Sequence, residues 1–168
     1  MVRLVVMCGI SGSGKTYWAH HFFNGYTVIS SDDIREELYG DASIQLNPRK
    51  VFGILHERVE ANLAAGINTV LDATNLTKKW RKDIIARYKD KAFLICAVTP
   101  VDASRAIYNQ MLRDRKVPES IILKQVKQFT MPTEDEGWDE ILMLEEDKHE
   151  VLETRVYRRN RKFAEDFA

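Results

Sequence analysis

Eight consecutive residues near the start of the chain, Gly9-Ile10-Ser11-Gly12-Ser13-Gly14-Lys15-Thr16, have the types and spacing needed to hold a triphosphate. Glycines at 9, 12 and 14 let the backbone turn amides inward onto phosphate oxygens, so Gly9, Ser11, Gly12, Ser13 and Gly14 are candidates for the cradle. A helix starting near Lys15 adds its positive end. Lys15 is placed to reach the β and γ phosphates, and Thr16 offers a hydroxyl to Mg²⁺. The context that this motif requires is present: an apolar run, Leu4 to Cys8, precedes it and a stretch of helical period follows. The chemistry is phosphoryl transfer from ATP or another nucleoside triphosphate, with Mg²⁺ as cofactor.

Three further groups follow the ends of apolar runs, where a parallel sheet opens its ligand crevice. In Ser30-Ser31-Asp32-Asp33-Ile34-Arg35, Asp32 suits the carboxylate that takes a proton from an alcohol, and Arg35 suits an anionic acceptor. Ser and Asp are also strong helix caps, so Asp32 and Asp33 have a structural reading, and one can cap while the other works. In Leu71-Asp72-Ala73-Thr74-Asn75-Leu76, Asp72 either orients Arg35 or holds a water on Mg²⁺, and Thr74 and Asn75 can hydrogen-bond an acceptor. Arg105 and then Arg113-Asp114-Arg115-Lys116-Val117-Pro118 read as a basic hinge between two helices. Folded over the triphosphate as a lid, it would bring Arg113 or Arg115 to the moving phosphoryl group.

The elements that must position these groups alternate between short apolar runs and helical periods, the pattern of a parallel sheet wound with crossover helices. The expected strands are Leu4 to Cys8, Thr27 to Ile29, Thr69 to Leu71, Phe93 to Val98 and Glu140 to Leu144. The expected helices are Lys15 to Phe23, Ile34 to Leu38, Pro48 to Ala65, Lys78 to Tyr88, Asp102 to Arg113 and Glu119 to Phe129. The helix from Pro48 carries Val51, Phe52, Leu55, Val59 and Leu63 on one side as a packing face. The helix from Lys78 turns Trp80, Ile84, Ile85 and Tyr88 to the core, with Lys78, Lys79, Arg81 and Lys82 elsewhere. A charged final helix is expected from about Glu145 to Phe163, its basic face solvated. The fold class is α/β: one P-loop kinase domain over residues 1–168, about five parallel strands with helices on both faces, and a small helical lid near 105–130.

The bulk composition excludes several classes. In 168 residues, 25 Lys plus Arg balance 25 Asp plus Glu, so no global field draws the protein to a polyanion or a membrane, and any such site is a local patch. The first residues run straight into the loop and are too short for a leader or a membrane span, so a cytoplasmic protein is expected. Cys8 and Cys96 sit in strand-like runs and read as buried thiols, not a disulfide. His20, His21, His56 and His149 show no metal-site spacing.

Taken together, the phosphate loop, Ser-Asp-Asp-x-x-Arg, Asp-Ala-Thr-Asn, the arginine-rich lid ending in Val-Pro, and Glu136-Gly137-Trp138-Asp139 resemble the kinase domain of polynucleotide 5′-hydroxyl kinases. That family occurs in the phage kinase-phosphatase and in bacterial RNA end-healing enzymes, and the resemblance covers roughly Leu4 to Leu144. It implies transfer of the γ-phosphate of ATP to a 5′-OH end of RNA or DNA. It also implies Asp32 as general base, Arg35 on the acceptor's phosphate, and a lid arginine on the leaving phosphate. The resemblance takes up nearly all of these 168 residues, so a kinase acting with separate ligase or phosphatase partners to complete end repair is the expectation. The alternative is a P-loop kinase of a small or tRNA-linked alcohol, such as a sugar, nucleoside or seryl-tRNA, which shares the loop, the acceptor carboxylate and the lid. A nucleotide-binding regulator or motor ATPase is a third class, and Asp72 followed by Ala73 lacks the Asp-Glu pair it would need.

Overall fold

A computed structural model describes residues 1–114, 116–145 and 150–156. The first strand, β1 (Arg3–Cys8), is buried along Leu4-Val5-Val6-Met7-Cys8. A strand apolar at every position has both faces covered, as parallel sheets with crossover helices do. The successive strands are β2 (Thr27–Ser30), β3 (Thr69–Asp72), β4 (Phe93–Val98), β5 (Glu140–Glu145) and β6 (Glu150–Val156), and the sheet order is β2-β3-β1-β4-β5-β6. The first five are mutually parallel. The helices are α1 (Lys15–His21), α2 (Ser31–Tyr39), α3 (Pro48–Ala64), α4 (Lys78–Tyr88), α5 (Ala103–Met111) and α6 (Glu119–Gln128).

The period of two along β1 divides the core. Leu4, Val6 and Cys8 pack with Val51, Leu55 and Val59 of α3 and Ile84 and Tyr88 of α4. Val5 and Met7 face the other way, onto Trp18 and Ala19 of α1. The stripe expected on α3 is buried at Val51, Leu55, Val59 and Leu63, while Phe52 is half-buried. A separate small cluster, Ile10, Leu76, Ala106 and Ile122, fastens α5 and α6 over the phosphate loop. None of the helices among the described residues is long and apolar enough to cross a membrane.

Two expectations are corrected. Residues 150–156 are not helical: β6 pairs antiparallel with β5, from Glu140↔Val156 to Glu145↔Glu150, with a register irregularity at Met143/Leu144. The charged residues suit a helix, but Val151, Thr154 and Val156 suit a strand, and the open edge of β5 supplies the backbone partners that decide between them. Arg158, Arg159, Arg161 and Lys162 of the expected helix lie outside the described residues.

The second correction is the face of α4. Trp80 is 53% exposed, whereas Arg81 is fully buried. The Arg81 guanidinium donates to both carboxylate oxygens of Glu136 at 2.9 and 2.8 Å, and to the carbonyls of Asn75 and Leu76 at 3.1 and 2.9 Å. Trp138 Nε1 donates to the same carboxylate at 3.0 Å. A buried charge persists where its donors are met in this way. Arg81 thereby ties the turn after β3 to the segment that leads into β5. Arg81→Ala leaves Glu136 buried without its counter-ion and lowers stability by about 3–5 kcal/mol. Lys79→Ala, on the exposed side of the same turn, shifts it by less than about 0.5 kcal/mol. Urea unfolding of the two variants checks this, and equal midpoints would contradict it.

Candidate active site

The carboxyl ends of the parallel strands meet at one edge, and a cavity of about 740 Å³ opens there, lined by Gly12, Gly14, Lys15, Thr16, Asp32, Arg35, Asp72, Thr74 and Arg113 among others. The phosphate loop is held from both sides. Gly9 N donates to the carbonyl of Thr74 at 2.9 Å, and the hydroxyls of Ser13 and Thr99 share a hydrogen bond of 2.6 Å. A Cβ on Gly9 would stand 1.9 Å from Thr99 Oγ1, and one on Gly12 would stand 2.5 Å from the carbonyl of Ala106. Both values lie below any tolerated contact. Gly12 also has φ +81°, a left-handed conformation that glycine adopts without strain. Thr99, at the carboxyl end of β4, is a partner that sequence reasoning did not identify. A polar residue closing an apolar strand was its signal.

Lys15 begins α1 with only 9% exposure, and its Nζ donates to the carbonyl of Ile10 at 2.8 Å. Burial lowers its pKa, outweighing the attraction of Asp72 and Asp32. Thr16 Oγ1 donates to Asp72 Oδ2 at 3.0 Å. Asp72 is 5% exposed, and burial raises its pKa against the opposing pull of Lys15 and the Thr16 hydrogen bond. A hydroxyl beside a carboxylate at the phosphate loop is a hard-oxygen pair that fits Mg²⁺, an ion usually held by one or two carboxylates together with substrate phosphates. Among the described residues no cluster of three or more His, Cys, Asp or Glu could hold a metal by itself.

The cap role that the sequence offered to Asp32 or Asp33 falls to neither of them. Helix α2 starts at Ser31, three residues before the expected Ile34, and its cap is Ser30, whose hydroxyl accepts from Asp33 N at 3.4 Å. With that role filled, Asp32 Oδ1 accepts from Arg35 Nη1 at 3.0 Å. The Asp32 side chain is 52% exposed, while that of Arg35 is 10% exposed. Arg35 is further fixed by Ser31 Oγ at 3.3 Å and lies over the ring of Phe52, 5.9 Å from its centroid.

Thr74 lines the cavity, but Asn75 does not. Asn75 adopts φ +47°, and its side-chain amide donates to the carbonyl of Met7 at 2.7 Å. It locks the turn after β3 against β1, with its amide nitrogen committed to backbone carbonyls. On the lid, Arg113 is exposed on the cavity wall, whereas Arg105 is not among its lining residues. Arg115 lies outside the described residues. The lid touches the loop through amide side chains that sequence reasoning passed over: Asn109 Nδ2 donates to the carbonyl of Gly12 at 2.9 Å, and Gln125 Oε1 accepts from Ser11 N at 2.7 Å. Isolated amides on helices carry no spacing signal that would single them out.

Because the folded state depresses the Lys15 pKa, it holds fewer protons than the unfolded chain between that value and the ordinary 10.5, and stability rises with pH across this alkaline window. Lys15→Met keeps the apolar stem and removes the buried charge. It abolishes phosphoryl transfer, raises the thermal midpoint at pH 7, and flattens the alkaline rise. Thermal melts over the alkaline range, beside a transfer assay, check this; a lowered midpoint at pH 7 would show that the ammonium stabilises the fold.

Comparison with known proteins agrees with this geometry. The family described as AAA domain matches residues 4–134. Among solved structures, a chain of the Pnkp1/Rnl/Hen1 RNA repair complex superposes with a TM-score of 0.68 at 22% identity, covering 76% of this chain and 43% of its own. This chain thus spans less than half the length of that one. A gluconokinase from Sinorhizobium meliloti 1021 superposes at 0.57 and 17% identity, covering 84% of this chain and 82% of its own. A structure from the PezAT toxin-antitoxin system of Streptococcus pneumoniae gives 0.69 at 16% identity, covering 92% and 72%. At these identities the likenesses show the fold, which is that of a P-loop kinase. With the family match running through the phosphate loop, both acidic strand ends and the lid, the protein belongs to the AAA domain family, as a nucleotide-binding member with a P-loop kinase fold.

Proposed function

We propose that the protein transfers the γ-phosphate of ATP to a 5′-hydroxyl end of RNA or DNA. The observation that carries this reading is the Arg35–Asp32 pair on the cavity wall. A guanidinium has more donors than the bonds to Asp32 and Ser31 use. One held this rigidly, nearly buried and facing a cavity, suits an anion of fixed geometry such as a phosphodiester. A neutral small alcohol supplies no such group. The similarity to a chain of an RNA repair complex supports the same acceptor class.

In this reading Asp32, the exposed member of the pair, accepts the proton of the attacking hydroxyl, and Arg35 sets the acceptor by its neighbouring phosphate. Lys15 and the loop amides hold the β and γ phosphates. Thr16 and Asp72 are the residues that would hold Mg²⁺, which when bound neutralises charge between those phosphates. Arg113 covers the site from the lid and sets its positive charge where negative charge develops on the phosphate oxygens.

Asp32→Asn keeps the size of the side chain and isolates the loss of the base. Single-turnover transfer to a 5′-OH oligonucleotide then falls by about 10² to 10⁴, with ATP affinity retained. Asp33→Asn, outside the cavity lining, stays close to the unsubstituted protein. Arg35→Lys raises the acceptor KM more than that of ATP and recovers little, because an ammonium cannot reproduce a forked contact. An Asp32→Asn protein of nearly full rate would overturn the mechanism.

A further inference from the structure

The main cavity does not end at Arg35. It adjoins a second, mostly apolar hollow of about 290 Å³, and the two share Pro48, Phe52 and Trp80 as their common wall. The floor of the hollow is formed by Leu55, Leu71 and Ile84. Trp80 has no part in the core, since the inward positions of α4 are Arg81, Ile84, Ile85 and Tyr88. Its backbone is nevertheless fixed, because Trp80 N donates to the helix cap Thr77 Oγ1 at 3.3 Å. An indole held in water at 53% exposure, at the mouth of a cavity that contains a phosphate loop, is a large flat apolar surface without a structural duty. Phe52 connects it to the acceptor anchor, since Arg35 lies over the Phe52 ring.

Given the polynucleotide acceptor proposed above, on which this step rests, we infer that Trp80 and Phe52 form a stacking wall for a nucleobase of the acceptor strand, one nucleotide to the 3′ side of the reacting end. The path follows from the order of the groups. The hydroxyl lies at Asp32, the next phosphate at Arg35, and the chain then passes Phe52 toward Trp80 and the hollow. Stacking on an aromatic face tolerates every base, so this wall reads chain length and the presence of a base rather than sequence. Arg49 and Asp83, exposed at the rim of the hollow, are polar groups within the same lining for a base edge.

The test uses two 5′-OH trinucleotides, one complete and one abasic at the second position. Trp80→Ala raises the KM of the complete acceptor by about tenfold, the effect expected of one lost stack, while the KM of ATP does not follow. The abasic acceptor already shows the raised KM with the unsubstituted protein and is insensitive to Trp80→Ala, and Trp80→Phe recovers most of the loss. Fluorescence gives an independent readout, because Trp18 and Trp138 are 1% and 0% exposed. The complete trinucleotide, added without ATP, quenches emission from Trp80, and Trp80→Phe removes that quenching. If the unsubstituted protein phosphorylates both trinucleotides with equal KM, or Trp80→Ala affects both alike, the stacking wall is overturned and the kinase reading stands. Failure of the unsubstituted protein to phosphorylate any oligonucleotide overturns both.

Discussion

Everything at the ligand edge of the sheet depends on the close fit of the phosphate loop between β3 and β4. Gly9 is bonded to the carbonyl of Thr74 on one side and blocked by Thr99 on the other, and Ser13 is tied to the same threonine. The ends of three strands, β1, β3 and β4, are therefore registered to one another by the loop that lies between them. That registration brings Asp72 beside Thr16 and leaves Lys15 with almost no access to solvent. A loop with room to relax would not hold its amides in a fixed cradle, and a preorganised cradle is what stabilises charge on a transferring phosphoryl group.

The electrostatics divide the site into a buried half and an exposed half. In the buried half, Lys15 and Asp72 are both shifted toward their neutral forms by desolvation, each partly restrained by the other's charge. A triphosphate would supply the negative charge that the lysine lacks, so the site is costly when empty and complementary when filled. In the exposed half, Asp32 reaches solvent from a pair whose arginine does not. In the proposed reaction, an acceptor entering from solvent meets this more exposed carboxylate before the guanidinium. The buried Arg81–Glu136 pair lies behind both halves and holds the turn after β3 in place.

Much of this was legible in the sequence because it depends on local chain chemistry. The phosphate loop needs its glycines and lysine in order, and the five parallel strands follow from uninterrupted apolar runs. Asp32, Arg35, Asp72 and Thr74 reach one cavity because the segments that follow strand ends in a parallel sheet share an edge, and Arg113 joins them from the lid. What was not legible depends on contacts remote in sequence. Arg81 looks like a surface charge until Glu136, 55 positions away, enters its pocket. Its burial rotates α4 and turns Trp80 outward. Asn75 reads as a ligand group until Met7 takes its amide. The charged segment 150–156 has the composition of a helix, and only the unpaired edge of β5 makes it a strand.

In the proposed reaction the γ-phosphate of ATP bound in the cavity passes to a 5′-hydroxyl of a nucleic acid, with ADP as the leaving group. The direct measurement is the fate of label from γ-labelled ATP when the protein meets a 5′-OH oligonucleotide, the same oligonucleotide carrying a 5′-phosphate, gluconate and a neutral sugar in parallel, with Mg²⁺ present. The account predicts label on the 5′-OH oligonucleotide and none on the other three. Label on gluconate or the sugar, with the oligonucleotide unlabelled, would contradict it.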